Sequence, residues 1–127
     1  MEMLRGFIIA GAGSFLGGGL RFVVAKMAGT LSVGAFPIAT FIVNLVGCLV
    51  IGFVCGLPLS QGLSPQSRLF LTTGFCGGFT TFSTFMNESA NLISSGNYLM
   101  TGAYLVGSFA AGLLCVWAGN ALAKMVA

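Results

Sequence analysis

An all-α membrane protein of four transmembrane helices, with a break in the third, is the fold class this sequence predicts, and three observations carry it. Hydrophobic residues make up 57% of the 127 residues and charged residues 6%, with a mean hydropathy of +1.03, which no small water-soluble domain sustains. Four apolar stretches, approximately Leu4–Ala28, Phe36–Leu57, Leu69–Ser95 and Tyr98–Ala123, are each long enough to cross roughly 30 Å of hydrocarbon. Inside the third, Gly74-Phe75-Cys76-Gly77-Gly78-Phe79-Thr80-Thr81-Phe82-Ser83-Thr84-Phe85 gathers three glycines, four hydroxyl side chains and four phenylalanines. Glycine costs about 1 kcal/mol relative to alanine in a helix interior, so this run predicts a local break whose freed carbonyls must find partners. Such carbonyls are candidate ion ligands.

The first stretch, Phe7–Leu20 behind Arg5, has the look of a signal-peptide core. Three further spans follow it, Arg21 extends it, and Gly13-x-x-x-Gly17 is a helix-packing spacing, so the span is read as retained. The connections Gly29–Pro37, Pro58–Gln66 and Ser94–Asn97 are rich in glycine, proline and serine and too short for a second domain. The whole chain, 1–127, is therefore one transmembrane domain. The third span is the least hydrophobic and is expected inside the assembly.

Charge is scarce. If both termini share a side, that side carries Arg5, Arg68 and Lys124, and the other Lys26 and Arg21. So small a bias does not fix orientation, and the chain is expected to insert both ways. Two oppositely inserted copies would form a dual-topology antiparallel homodimer related by a twofold axis in the membrane plane.

Polar residues sit at mid-span: Asn44 in the second, Thr80–Thr84 and Glu88 in the third, Tyr104 and Ser108 in the fourth. In hydrocarbon such groups face protein or a water-filled path. Thr81, Thr84, Glu88 and Asn91 fall on one helical face, with Phe82 and Phe85 beside them, and Tyr104 and Ser108 repeat a polar face at i, i+4. This lane offers amides, hydroxyls and ring edges but no central lysine or arginine. Ring edges carry the positive part of the aromatic quadrupole, so the lane suits a small, strongly hydrated anion that exchanges water for donors.

At these residues the sequence resembles the Fluc (CrcB) fluoride channel family. The resemblance rests on Gly74–Phe85, on Thr40-Phe41-x-Val43-Asn44-Leu45-x-Gly47 and on the Gly17-to-Arg21 segment, and it covers essentially the whole chain. It implies a passive fluoride-selective channel in the cell membrane that lowers cytoplasmic fluoride toxicity. It also implies an antiparallel homodimer with two pores and a structural sodium ion at the subunit interface. By motif position, Gly77 and Thr80 would supply backbone carbonyls to sodium. Phe82, Phe85, Asn44, Ser83, Thr84, Tyr104 and Ser108 would line the fluoride pore. Arg21 would attract anions or anchor a helix end, and Glu88 would accept hydrogen bonds in the polar stripe.

The plainer readings stand beside these. Phe75 and Phe79 at helical spacing are packing residues, Thr72 and Thr73 bond back to their own helix, and Asn44 alone would be interhelical glue. Cys48, Cys55, Cys76 and Cys115 lie within spans without histidine or a CxxC pair and are read as buried small hydrophobes. Gly52-x-x-x-Gly56 and Ser108-x-x-x-Gly112 are close-packing surfaces. Neither an enzyme nor a nucleic-acid partner is expected. The alternatives are a proton-coupled small multidrug-type transporter, which wants a membrane-embedded acid where the first span has none, and a structural subunit of a membrane complex.

Overall fold

The computed structural model describes residues 1–31, 34–58 and 63–127; the linker readings that fall on 32–33 and 59–62 lie outside the described residues. The described residues are helical, without strands. Among the described residues three helices are long and apolar enough to cross a membrane: α1 (Glu2–Ala28), α2 (Ile38–Gly56) and α6 (Tyr98–Val126). In α1 and α6 the apolar residues run all round the helix, and Phe7, Phe15, Val106 and Trp117 point outward with most of their surface bare. That is the surface a lipid-facing helix presents.

The expected third span is instead a chain of short pieces. It starts at α3 (Pro65–Leu69), whose N-cap Ser64 accepts the Ser67 amide and whose first residue is proline. A π-helical segment (Phe70–Cys76), a short α4 (Gly77–Phe79) and α5 (Phe82–Ser94) follow. At the start of the wider π turns, the Thr72 hydroxyl donates to the Arg68 carbonyl at 2.8 Å, as expected of it, while the Thr73 hydroxyl makes no such bond among the described residues.

The break lies two residues beyond the last glycine of the motif. Gly74, Gly77 and Gly78 stay helical, while Thr80 (φ −85°, ψ 162°) and Thr81 (φ −149°, ψ 121°) are extended. Two of the three glycines serve close approach rather than bending. The π-helical segment and α4 lie along α1, where a methyl group at Gly78 would stand 2.6 Å from the Ser14 carbonyl oxygen and one at Gly74 2.9 Å from that of Ala10. From the other side, Gly13 and Gly17 admit the backbone of Phe70–Phe79. Two polar bonds pin the seam: Ser14 Oγ donates to the Gly74 carbonyl and Arg21 Nε to the Gly78 carbonyl, each at 3.1 Å.

Helix α2 packs along α6 through a second set of small residues. Gly52 lies against the Val116 backbone and Gly56 against Asn120, as the small-residue spacing anticipates. Arg68 closes the end of α2 by donating to the Val54 and Leu57 carbonyls, both at 3.3 Å. Phe75 and Phe79 stack on each other at 5.7 Å, consistent with packing. Of the cysteines, Cys76 is buried and Cys48 and Cys115 are partly so, but Cys55 is exposed, against the expectation of burial. Among the described residues no cluster of cysteine and acid side chains is arranged to hold a metal.

The α1 seam makes a direct prediction. Gly78→Ala must push α4 off α1, and overpacking of this kind costs about 1–3 kcal/mol. A clearly lower Tm in detergent is expected. Gly11→Ala, whose added methyl meets nothing within 4 Å, should melt at or above the parent.

Candidate functional site at the helix break

The break exists because a side chain from another helix takes the place of a helical partner. Thr81 N–H donates to Asn44 Oδ1 at 2.9 Å, and Asn44 Nδ2 donates to the Thr81 carbonyl at 3.1 Å. The amide of Asn44 thus reads the extended Thr81 as a neighbouring strand would, satisfying both of its backbone groups. Three residues along α2, Gly47 leaves room for the Thr80 methyl, which any side chain at 47 would strike. That explains the spacing of the asparagine and the glycine in the second-span motif.

The helix restarts at once. Thr81 Oγ1 accepts the Thr84 amide at 3.2 Å and so caps α5. These two diversions have a joint consequence. In a continuous helix, the amides of Thr81 and Thr84 would serve the carbonyls of Gly77 and Thr80; here they go to Asn44 Oδ1 and Thr81 Oγ1. Among the described residues no hydrogen bond reaches the Gly77 or Thr80 carbonyl. The Gly78 carbonyl between them is taken by Arg21, and the Cys76 carbonyl receives both the amide and the hydroxyl of Thr80, at 2.9 and 2.8 Å. Two orphan carbonyls at the end of a helical stretch suit a hard cation such as sodium.

Beside the break lies a cavity of about 420 Å³ lined by Asn44, Gly77, Thr80, Phe82, Phe85 and Ser108 among others. Six of the residues singled out in the sequence therefore meet at one place. Asn44 keeps one N–H free after its two bonds to Thr81. Ser108 makes no side-chain bond among the described residues. Phe82 and Phe85 meet edge-to-face at 6.2 Å and 69°. Phe82 is 67% exposed and Phe85 only 4%, so one ring faces outward from the subunit and the other is held inside it.

The other expected site residues lie elsewhere. Ser83 and Thr84 are on the first turn of α5, with Ser83 Oγ 3.5 Å from Thr81 Oγ1. Arg21 is on α1, across the π-helical segment and α4, and its contact is the Gly78 carbonyl. That bond ties α1 to the last turn before the break. Tyr104 lies beyond Phe85, at 4.9 Å and 81° to that ring, and is fully buried. Its hydroxyl donates to Glu88 Oε1 at 2.8 Å, while the Thr40 hydroxyl donates to Glu88 Oε2 at 3.0 Å. Glu88 therefore accepts hydrogen bonds as expected, and it commits the Tyr104 hydroxyl proton to its own carboxylate. The predicted Thr81–Glu88 stripe is not a lane of free groups, since Thr81 caps a helix and Glu88 turns into this network.

Sequence reading gave no role to Thr40 or Phe109. Thr40 was visible as the first residue of the second-span motif. Phe109, at 6.0 Å and 75° to Phe85, follows Ser108 directly, yet nothing in its own type distinguishes it from lipid-facing phenylalanines.

The Asn44–Thr81 pair is open to test. Asn44→Asp keeps the oxygen that accepts from Thr81 but removes the donor and adds a charge, leaving the Thr81 carbonyl unpaired, at a cost of about 1–3 kcal/mol. A lower Tm, with faster hydrogen exchange confined to residues 77–84, is the expected outcome. Uniform exchange across all helices would contradict the local role.

Comparison with known proteins places the chain in a family. The model of the family described as CrcB-like protein, Camphor Resistance (CrcB), matches residues 8–120. A protein named fluoride-specific ion channel FluC from Chlorobium phaeobacteroides (strain DSM 266) is 45% identical over 126 residues, 98% of this chain and 97% of that one. One of the same name from Chlorobaculum tepidum is 48% identical over 124 residues, covering 97% and 98%, and one from Clostridium novyi is 42% identical over 127 residues, covering 99% of each. With a family match across the spans and relatives of this identity along nearly its full length, the chain belongs to the CrcB-like family.

Proposed function

We propose that this chain forms a fluoride-selective channel that lets the ion leave the cell down its electrochemical gradient. The single observation that carries the reading is the cavity at the break, where the free N–H of Asn44, the Ser108 hydroxyl and the rings of Phe82 and Phe85 converge with no formal positive charge. Relatives that match nearly the whole chain carry the fluoride-channel name.

Fluoride is small and tightly hydrated, so passage needs donors that replace its water. Asn44, already oriented by its two bonds to Thr81, offers one N–H in a fixed direction. Ser108 offers an O–H, and the phenylalanine ring edges offer weaker positive surface. The first amides of α5 emerge at the same break, with the positive end of that helix. A full positive charge there would hold the anion; partial charges let it leave.

The functional unit in this reading is an antiparallel homodimer of four-span subunits, the stretch Pro65–Ser94 making the fourth crossing. Several features support it. The cavity opens on the face where Phe82 is bare, so a second copy is the natural covering. Gly77 is exposed as well, and its carbonyl with that of Thr80, contributed by both subunits, would hold a sodium ion. A bound sodium ion supplies a fixed positive charge that offsets converging carbonyl dipoles. Arg21 and Arg68 each donate to backbone carbonyls. If these two are discounted as topogenic charges, the difference of one between the two ends is unchanged and insertion in both directions remains open.

Liposomes loaded with potassium fluoride and read with a fluoride electrode test the function. Rapid fluoride efflux without a proton gradient is expected, and its absence from folded protein would overturn the reading. Phe82→Ile and Phe85→Ile keep apolar bulk but remove ring edges, so efflux should fall at least about tenfold while the protein still folds. Replacing sodium by N-methyl-D-glucamine should lower the Tm, whereas a sodium gradient should drive no fluoride. Sodium flux stoichiometric with fluoride would exclude a structural ion.

A further inference from the structure

The aromatic contacts do not stop at the cavity. Phe85 meets Tyr104 at 4.9 Å and 81°, Tyr104 meets Phe36 at 5.4 Å and 78°, and Phe36 meets Phe41 at 5.2 Å and 77°. Phe36 lies in no helix; it comes just before α2, on the connection from α1. Its place is nevertheless built. Pro37 holds φ −76° and ψ 73°, and the Ile38 amide donates to the Phe36 carbonyl at 2.8 Å. That is an inverse γ-turn whose central φ the proline ring presets. Phe41, on the first turn of α2, backs the Phe36 ring at right angles.

Tyr104 is thus contacted by two rings and held at its tip. A hydrogen bond from the hydroxyl to Glu88 Oε1 fixes where the end of the side chain lies but leaves the ring free to turn about its long axis. Two near-perpendicular ring neighbours, Phe85 and Phe36, restrict that freedom. The Phe85 ring lines the cavity and leans on Tyr104, so the plane of one ring constrains the plane of the next.

We propose that Phe36 is a positioning residue for anion passage: it is the outer jaw, and Phe85 the inner, of a clamp that holds Tyr104 on Glu88 and thereby keeps the Phe85 ring edge turned to the cavity. The residue does not touch the anion. It acts through Tyr104 and Phe85, and the inference rests on the reading that Phe85 lines the fluoride route. Leucine at 36 would fill much of the volume without a flat face, so Tyr104 and then Phe85 would turn more freely.

Two measurements on the full-length protein separate this role from bulk packing. The chain has two tyrosines, Tyr98, which is 70% exposed, and Tyr104, which is fully buried. Ring-carbon labelling of tyrosine therefore gives one solvated signal and one buried signal. In Phe36→Leu the Tyr104 ring signals should collapse to the averaged pattern of a freely flipping ring, and fluoride efflux from liposomes should fall about fivefold, the scale of one lost edge-to-face pair. Phe36→Tyr, which restores the ring, should recover both. Should the leucine variant not assemble, Phe36→Met carries the same comparison.

Wild-type efflux from a folded leucine or methionine variant would overturn the proposal. So would reduced efflux with an unchanged Tyr104 signal, or failure of Phe36→Tyr to rescue. Absence of fluoride efflux from the parent protein would instead sink the channel reading. The tyrosine signals would still report whether the clamp exists.

Discussion

The pairing of one side-chain amide with one residue's backbone underlies the rest of this structure. A helix broken in the middle of a membrane exposes several backbone groups that have no water to turn to, and each is costly to leave alone. Asn44 removes that penalty at Thr81 by meeting its amide and its carbonyl together. Once Thr81 is extended, its hydroxyl is placed to cap α5, and the carbonyls of Gly77 and Thr80 lose the donors that a continuous helix would bring. Two carbonyls without donors, the positive end of a helix and a cavity then occur at one point, as consequences of a single pairing.

Holding the two half-helices in place is a packing problem without a hydrophobic drive, because lipid is as apolar as a leucine side chain. Close backbone approach replaces it. Gly13 and Gly17 on α1 and Gly74 and Gly78 on the facing segments let the two chains nearly touch, and Ser14 and Arg21 add hydrogen bonds to carbonyls on the far side. Arg21 matters particularly because the Gly78 carbonyl lies at the break and has lost its helical donor. The guanidinium satisfies that carbonyl and leaves its neighbours at 77 and 80 free.

Glu88 is the acid of the third stretch, and its surroundings decide what it contributes. Both of its oxygens are met by hydroxyl protons, from Tyr104 and Thr40, inside one subunit. A carboxylate so placed competes with any passing anion for the same donors. The Tyr104 hydroxyl is thus engaged by Glu88 while its ring packs against Phe85, whereas Asn44 keeps an N–H and Ser108 a hydroxyl without a partner among the described residues. The aromatic rings form a connected series from Phe36 to Phe82, each pair close to perpendicular, which ties ring orientation at the cavity to packing some distance from it.

The sequence by itself determined the solvent and the place of interest. Composition excluded a soluble domain, and the lengths of the first, second and fourth apolar stretches anticipated α1, α2 and α6. The Gly74–Phe85 motif located the break, because that many glycines and hydroxyls inside an apolar stretch serve no ordinary membrane helix. Asn44, Gly77, Thr80, Phe82, Phe85 and Ser108 were each singled out by the family resemblance, but that they line one cavity is a matter of tertiary structure. Tertiary structure alone decided which residues break and why. Glycine propensity pointed to positions 74–78, but the glycines remain helical, since the competing partner comes from Asn44, 37 residues away in sequence, and no local preference encodes it. The same holds for Glu88, whose partners lie on α2 and α6, and for Phe36, whose role depends on a ring from the far end of the chain. Local propensity states how cheaply a segment bends; only the neighbours brought by folding supply the hydrogen bonds that fix where it does.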